Sequence, residues 1–179
     1  MTRPAVVLIG PMGAGKTSIG RKAAKALHAP FFDTDIAIAR AHGPIPKIFA
    51  SQGEPHFREL EREAVREALA TDGIVAVGGG AVLHPDTQAD LTHHPVVLLT
   101  VDPATVAGRI RGTTRPLLQG EDALQSWQRV AEERGRLYAE LADITIDTSV
   151  GHIRDIVDRV AGWVEEQWAD AENAQKGTE

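Results

Sequence analysis

The chain has 179 residues, 42% of them hydrophobic and 25% charged, with a formal net charge of −6 and no cysteine. That length and balance fit one soluble globular domain with an adequate core. The acidic balance argues against a general nucleic-acid or membrane-surface binder, and the lack of cysteine excludes disulfides, thiolate catalysis and cysteine metal sites.

In chain order, the apolar run Ala5 to Ile9 predicts a buried first strand. Only Met1 to Pro4 precede it, too few for a signal peptide. No apolar run approaches the roughly 20 residues that span a bilayer, so a cytoplasmic location is expected. Residues 10 to 17 read Gly-Pro-Met-Gly-Ala-Gly-Lys-Thr and complete the phosphate-binding P-loop pattern G-x-x-x-x-G-K-[ST]. Its glycines allow a tight turn whose N–H groups point at a phosphate chain. In such a loop Lys16 reaches the β- and γ-phosphates, and the Thr17 hydroxyl sits on Mg²⁺. Ser18 to Leu27 predicts the helix whose N-terminus adds partial positive charge to that anion site. Gly13, Ala14, Gly15, Lys16, Thr17 and Ser18 are therefore the expected nucleotide-binding run.

Pro30 to Asp33 predicts a short second strand ending in acid, followed by Thr34 and Asp35. If the strand continues, Asp33 and Asp35 face the P-loop ligand together. A kinase needs one carboxylate to help hold Mg²⁺ and another to orient or deprotonate the attacking hydroxyl. The competing reading makes one acid a helix N-cap. Pro55 to Ala70 predicts a helix carrying Arg58 near its start, and Gly73 to Val77 a third strand. Gly78-Gly79-Gly80 then reads either as a ligand-facing loop with N–H donors or as a simple turn.

Pro95 to Val101 predicts the fourth strand, Thr105 to Ile110 and Ala123 to Leu141 helices, Asp143 to Asp147 the fifth strand, and Ile153 to Trp168 a last helix. Between the first two of these helices, Arg109, Arg111 and Arg115 flank Gly112-Thr113-Thr114. That segment reads as a lid that excludes water and brings an arginine to the transferring phosphoryl group, or as a solvated surface loop. Arg58 and Arg134 suit bidentate recognition of a carboxylate, or are solvated helix charges, with Arg136 the competitor of Arg134. His93 and His94 are expected at the surface without zinc. Trp127, Trp163 and Trp168 are expected to pack far from the motifs. Ala169 to Glu179 is expected to be a frayed polar tail. Alternating β and α implies a parallel sheet with helices on both faces, and ligands bound beyond the carboxyl ends of its strands.

Together these pieces resemble the shikimate kinase family. The resemblance runs from about Val6 to Asp147. It rests on the P-loop, Phe32-Asp33-Thr34-Asp35, Ile48-Phe49, Gly53-Glu54, Phe57-Arg58-Glu59-Leu60-Glu61, the glycine triplet, Arg115-Pro116-Leu117-Leu118, and Arg134 four residues before Tyr138.

The resemblance implies an α/β fold, a three-layer α/β/α P-loop kinase with a five-stranded parallel sheet, a substrate-binding subdomain and a short lid. It implies one domain over residues 1–170, with the substrate-binding region at about 34–62, the lid at about 111–121, and a disordered tail at 171–179. It implies transfer of the ATP γ-phosphoryl group to the 3-hydroxyl of shikimate, with Mg²⁺, in chorismate and aromatic amino-acid biosynthesis. By position, Asp35 would bind the shikimate hydroxyls and act as general base, and Arg58 and Arg134 would hold the carboxylate. Gly78, Gly79 and Gly80 would approach the substrate by backbone. Ile48, Phe49 and Phe57 would wall the ring. Arg115 would meet the transferred phosphate, and Asp33 would support Mg²⁺ with Thr17. Arg109 or Arg111 would stack on adenine, and the loop near Thr148 to Gly151 is left unassigned. ATP, ADP and shikimate are the expected partners of a monomer, with no nucleic acid and no membrane. The rival readings are a gluconate kinase-like sugar kinase on the same fold and a nucleotide-binding regulator without phosphoryl transfer.

Overall fold

The computed structural model describes residues 3–110 and 123–176. Five parallel strands lie at its centre: β1 Val6–Ile9, β2 Phe31–Asp33, β3 Ile74–Ala76, β4 Val96–Thr100 and β5 Ile144–Asp147. Their order in the sheet is β2-β3-β1-β4-β5. Val7 stands beside Val75 on one flank and Val96 on the other, so β1 is central. Its four residues are all buried, as an apolar strand covered on both faces must be. The strands begin and end within a residue of the sequence-based expectation, because each is a short apolar run bounded by Gly, Pro or Asp.

Among the described residues, seven α-helices surround the sheet: α1 Lys16–Ala26, α2 Thr34–His42, α3 Ile45–Leu69, α4 Pro85–Leu91, α5 Pro103–Ile110, α6 Ala123–Leu141 and α7 Ile153–Lys176. On one face Val6, Leu8, Val97 and Leu99 meet Ile19 and Ala23 of α1 and Val157, Val160 and Val164 of α7. On the other face Val7, Ile9 and Val75 meet Val65 and Ala68 of α3, Leu91 of α4 and Tyr138 of α6. The pleat sends alternate residues of β1 to these two cores.

Between β2 and β3, α2 and α3 build a smaller core of their own from Ile38, Ile48, Phe57 and Ala64. This pair differs from expectation. The second strand stops at Asp33 and a helix starts at Thr34, so strand alternation does not place Asp35; the first turn of α2 does. Helix α3 starts at Ile45, ten residues before the expected Pro55, and breaks at Gly53, whose φ is +83°. Glycine tolerates that backbone, and Pro55 lies just inside the renewed helix, where its missing N–H costs little.

Two further expectations change at the helix ends and in the core. Helix α7 continues through the expected frayed stretch to Lys176. Ala169, Ala171, Glu172 and Ala174 are strong helix formers, and Glu172 pairs with Arg3 at 3.2 Å. His94 is half-buried rather than superficial, with Nδ1 3.2 Å from the Ala5 carbonyl, and burial lowers its pKa.

Candidate active site

The site lies at the carboxyl ends of β1, β2 and β3, the central strand and the two strands on one side of it. Beyond β1, the chain turns through Gly13 and Gly15, with φ of +81° and +92°, and enters α1 at Lys16. Side chains hold the carbonyls of this loop, beginning with the Ser18 hydroxyl, which donates to the Gly15 carbonyl at 3.2 Å. Lys16 Nζ donates to the Gly10 and Pro11 carbonyls at 2.7 and 3.1 Å. The Trp127 indole N–H donates to the Met12 carbonyl at 2.8 Å. Arg109 donates to the Gly13 carbonyl at 2.8 Å, and the Thr148 hydroxyl bonds the Ala14 carbonyl at 2.9 Å. In a trans peptide the N–H points opposite to the C=O. Tying down the Met12 and Ala14 carbonyls therefore turns the N–H groups of Gly13 and Gly15 the other way, at residues that line a cavity of about 330 Å³. With the α1 N-terminus at the same place, the cavity is built for phosphate. Ala14 itself has a fully buried side chain, so it serves this loop through its backbone, while Lys16, Thr17 and Ser18 line the cavity.

Asp33 lines this cavity beside Thr17. Its Oδ2 accepts from the Thr17 hydroxyl at 2.6 Å, and its Oδ1 accepts from the Ile36 N–H at 3.0 Å, capping α2. One oxygen thus caps α2 and the other holds the Thr17 hydroxyl. Asp35 lines the phosphate cavity and also the neighbouring one.

That second cavity, of about 420 Å³, is lined by Asp35, Phe49, Phe57, Arg58, Glu61 and Arg134, with the glycine triplet. It shares Met12, Thr17, Asp33, Asp35 and Gly79 with the phosphate cavity, so the two form one cleft. Arg58 is held by Glu61 at 2.6 Å and by Glu54 at 2.8 Å. Arg134 faces the cavity, whereas Arg136 is exposed and pairs with Glu140 at 2.8 Å; the helix face separates the two competitors. Ile48 does not wall the cavity. It is 2% exposed in the core between α2 and α3, and Ile45 and Pro46 take its expected place in the wall.

The glycine triplet is needed for close approach more than for donors. The Gly78 N–H is already bonded to the Thr34 hydroxyl at 3.1 Å. A Cβ at Gly78 would lie 2.5 Å from Glu61 Oε1 and 2.8 Å from Asp35 Oδ1, and one at Gly80 would collide with Arg58 Nη1. Three charged groups therefore converge on a backbone that only glycine leaves open.

Glu61 has no role in the sequence reading, although it stands in the quoted motif. Its residue is 3% exposed, and burial pushes its carboxyl up, an effect that Arg58 partly offsets. Its position three residues after Arg58 was the available signal, since that spacing puts both on one helix face. Trp127 is a correction: it lies against the P-loop rather than far from the motifs. Thr148, in the loop left unassigned, joins it. Arg109 bonds Gly13 and the Thr148 carbonyl, the latter at 3.2 Å, and lines both the phosphate cavity and a third of about 240 Å³ beside Thr148, Ser149 and Gly151. Arg111 and Arg115 fall outside the described residues, as does the rest of the expected lid.

Comparison with known proteins gives the family and the fold. The family model described as Shikimate kinase matches residues 12–165. A protein named shikimate kinase from Corynebacterium efficiens is 40% identical over 93% of this chain and 99% of its own. The structure of a shikimate kinase from Acinetobacter baumannii in complex with shikimate superposes with a TM-score of 0.86 at 36% identity, covering 92% of this chain and 94% of that one. A gluconokinase from Sinorhizobium meliloti shares the fold at a TM-score of 0.62 and 20% identity, over 97% of this chain and 99% of its own. The chain belongs to the shikimate kinase family.

Proposed function

We propose that the protein transfers the γ-phosphoryl group of ATP to the 3-hydroxyl of shikimate, giving shikimate 3-phosphate and ADP on the way to chorismate and the aromatic amino acids. The observation that carries this reading is Asp35. It lines both halves of the cleft, while Arg58 and Arg134 line only the larger half. A small carboxylate bearing hydroxyls fits that layout: arginines at one end, and a carboxylate acceptor where a hydroxyl meets the phosphate.

Asp35 accepts the hydroxyl proton as the oxygen attacks phosphorus. Arg58 and Arg134 hold the carboxylate, and Phe49 and Phe57, tilted by 40° with ring centroids 4.7 Å apart, form the apolar wall. Glu61 keeps the Arg58 guanidinium aimed. On the donor side, Lys16 exchanges the Gly10 and Pro11 carbonyls for phosphate oxygens. Adenine occupies the cavity beside Thr148 and Gly151, with Arg109 between base and phosphates. Arg115, outside the described residues, is the arginine proposed for the transferring group.

The oxygens of Thr17 and Asp33 are hard donors at the rim of the phosphate cavity, and they suit Mg²⁺ that keeps most of its ligands as phosphate and water. When bound, Mg²⁺ neutralises charge on the β- and γ-phosphates. No helix among the described residues is long and apolar enough to cross a membrane. An assay of ADP release with Mg-ATP and either shikimate or gluconate tests the proposal. Release that depends on shikimate is expected; release with gluconate alone, or with neither acceptor, overturns it.

A further inference from the structure

The phosphoryl-transfer reading uses one residue of α6, Arg134, and leaves two buried side chains of the same helix unused. Trp127 is 4% exposed and Tyr138 is 3% exposed. Both are core residues, on opposite faces of the sheet. Apolar rings would fill the same space, so their polar tips need a separate reason. Each tip ends on a backbone carbonyl of a cleft loop. The Trp127 N–H donates to Met12 in the P-loop at 2.8 Å. The Tyr138 hydroxyl donates to Gly79 in the glycine triplet at 2.5 Å.

The three residues form a row. Trp127 and Arg134 are seven apart and Arg134 and Tyr138 four apart, which returns them to one side of a helix. The row spans about 16 Å along the axis. Arg134 lies close to the Tyr138 end: a Cβ at Gly79 would be 3.5 Å from Tyr138 Oη and 3.9 Å from Arg134 Nη1. Burial raises the Tyr138 phenol, and the neighbouring Arg134 guanidinium acts in the opposite sense. The phenol therefore stays a protonated donor at neutral pH.

We propose that α6 is a positioning strut for the reaction: Trp127 sets the P-loop for the nucleotide, and Tyr138 sets Gly79 and Arg134 for the acceptor. A carbonyl held in place also orients the N–H of the same peptide, so Trp127 aims the Gly13 N–H and Tyr138 the Gly80 N–H. One stiff helix thereby fixes how far apart the two substrate loops stand. Misplacement of reacting atoms by about 1 Å can cost on the order of 10²-fold in rate. Both are positioning residues, because neither needs to touch the reacting atoms.

The inference rests on the proposed phosphoryl transfer, and the unmodified protein with shikimate is the control for that reading. Trp127→Phe and Tyr138→Phe each remove one donor and keep a ring in the core. Steady-state kinetics in both substrates and calorimetry with ADP provide the readouts. Trp127→Phe is expected to raise the Mg-ATP KM and the ADP Kd about three- to tenfold, as for loss of one buried hydrogen bond, with the shikimate KM within about twofold. Tyr138→Phe is expected to do the reverse. If both KM values stay unchanged, or both move together, or only the melting temperature falls, the strut is overturned. A second measurement needs no core substitution at Trp127. In protein labelled with 5-fluorotryptophan, one of three fluorine resonances should shift with ADP and not with shikimate. No ADP-dependent shift overturns the Trp127 half, and the ADP arm reads even if shikimate turnover is absent.

Discussion

The donor and acceptor halves of the cleft are built on different principles. The donor half is one continuous loop, Gly10 to Thr17, whose carbonyls are held by Lys16, Arg109, Trp127 and Thr148. It offers backbone N–H donors together with Lys16 and Thr17, groups that suit any nucleotide phosphate. The acceptor half draws Asp35, Arg58, Glu61, Gly80 and Arg134 from four separate stretches. Its charged groups are side chains, and two of them, Arg58 and Glu61, pair at 2.6 Å. The lesson is that generic phosphate binding needs a local backbone shape, whereas acceptor choice needs long-range convergence of charge.

The contrast breaks most sharply at Asp35, the residue shared by both halves. Asp35→Asn should lower kcat by roughly 10²–10⁴-fold, the usual contribution of a general base, and leave ADP affinity within about twofold. Rapid-quench or coupled kinetics with parallel ADP calorimetry measures both; near-normal turnover would remove Asp35 from the chemistry.

Gly80→Ala tests whether the acceptor half depends on close approach. The added methyl would collide with Arg58 Nη1 and push the guanidinium off its aim. The shikimate KM should rise on the order of tenfold, the scale of one charge-assisted hydrogen bond, while the Mg-ATP KM holds. An unchanged shikimate KM would separate Arg58 from the acceptor.

Glu61→Gln sharpens the electrostatic side of the comparison. The folded carboxyl titrates above its ordinary value of 4.5 because it is buried. A folded state that holds the proton more tightly gains stability at low pH and loses it as pH rises from about that value through the folded pKa. The native protein should therefore lose stability relative to Glu61→Gln as pH is raised through this window. Paired urea melts across pH report the difference, and a difference growing in the opposite sense would refute the assignment.

The smallest effect belongs to the donor half. Thr148 is 3% exposed, and its hydroxyl lies 2.9 Å from both the Ala14 and the Thr100 carbonyl. Thr148→Val should cost about 1 kcal/mol of stability and weaken ADP binding about threefold, with the shikimate KM unmoved. Thermal melts and ADP calorimetry check this, and a larger loss of shikimate than of ADP affinity would contradict it.

Legibility in the sequence follows the same division. The five strands were readable because each is a short apolar run between turn residues. The P-loop was readable because its function needs a fixed local order. Helix α2 is present in the sequence only as the competing N-cap reading, because Asp33-Thr34-Asp35 continues a strand as naturally as it starts a helix; the cap that Asp33 makes with Ile36 decides for the helix. Trp127 was misplaced because nothing local shows that α6 crosses the P-loop. Arg134 and Arg136 were separable only by family resemblance until the helix face was known.

By itself the sequence determined the parallel α/β architecture, the phosphate loop and, through motif order, the family. Local propensity, apolar periodicity and glycine chemistry act over a few residues, and they are written where they act. Only the tertiary structure decided that Glu61 braces Arg58, that Gly78 and Gly80 are empty space for charged side chains, and that Trp127 and Tyr138 reach the two loops. Those contacts join positions far apart in the chain, except for Arg58 and Glu61. Even that pair acquires its meaning from burial against Gly80, which the packing of α3 on the sheet supplies.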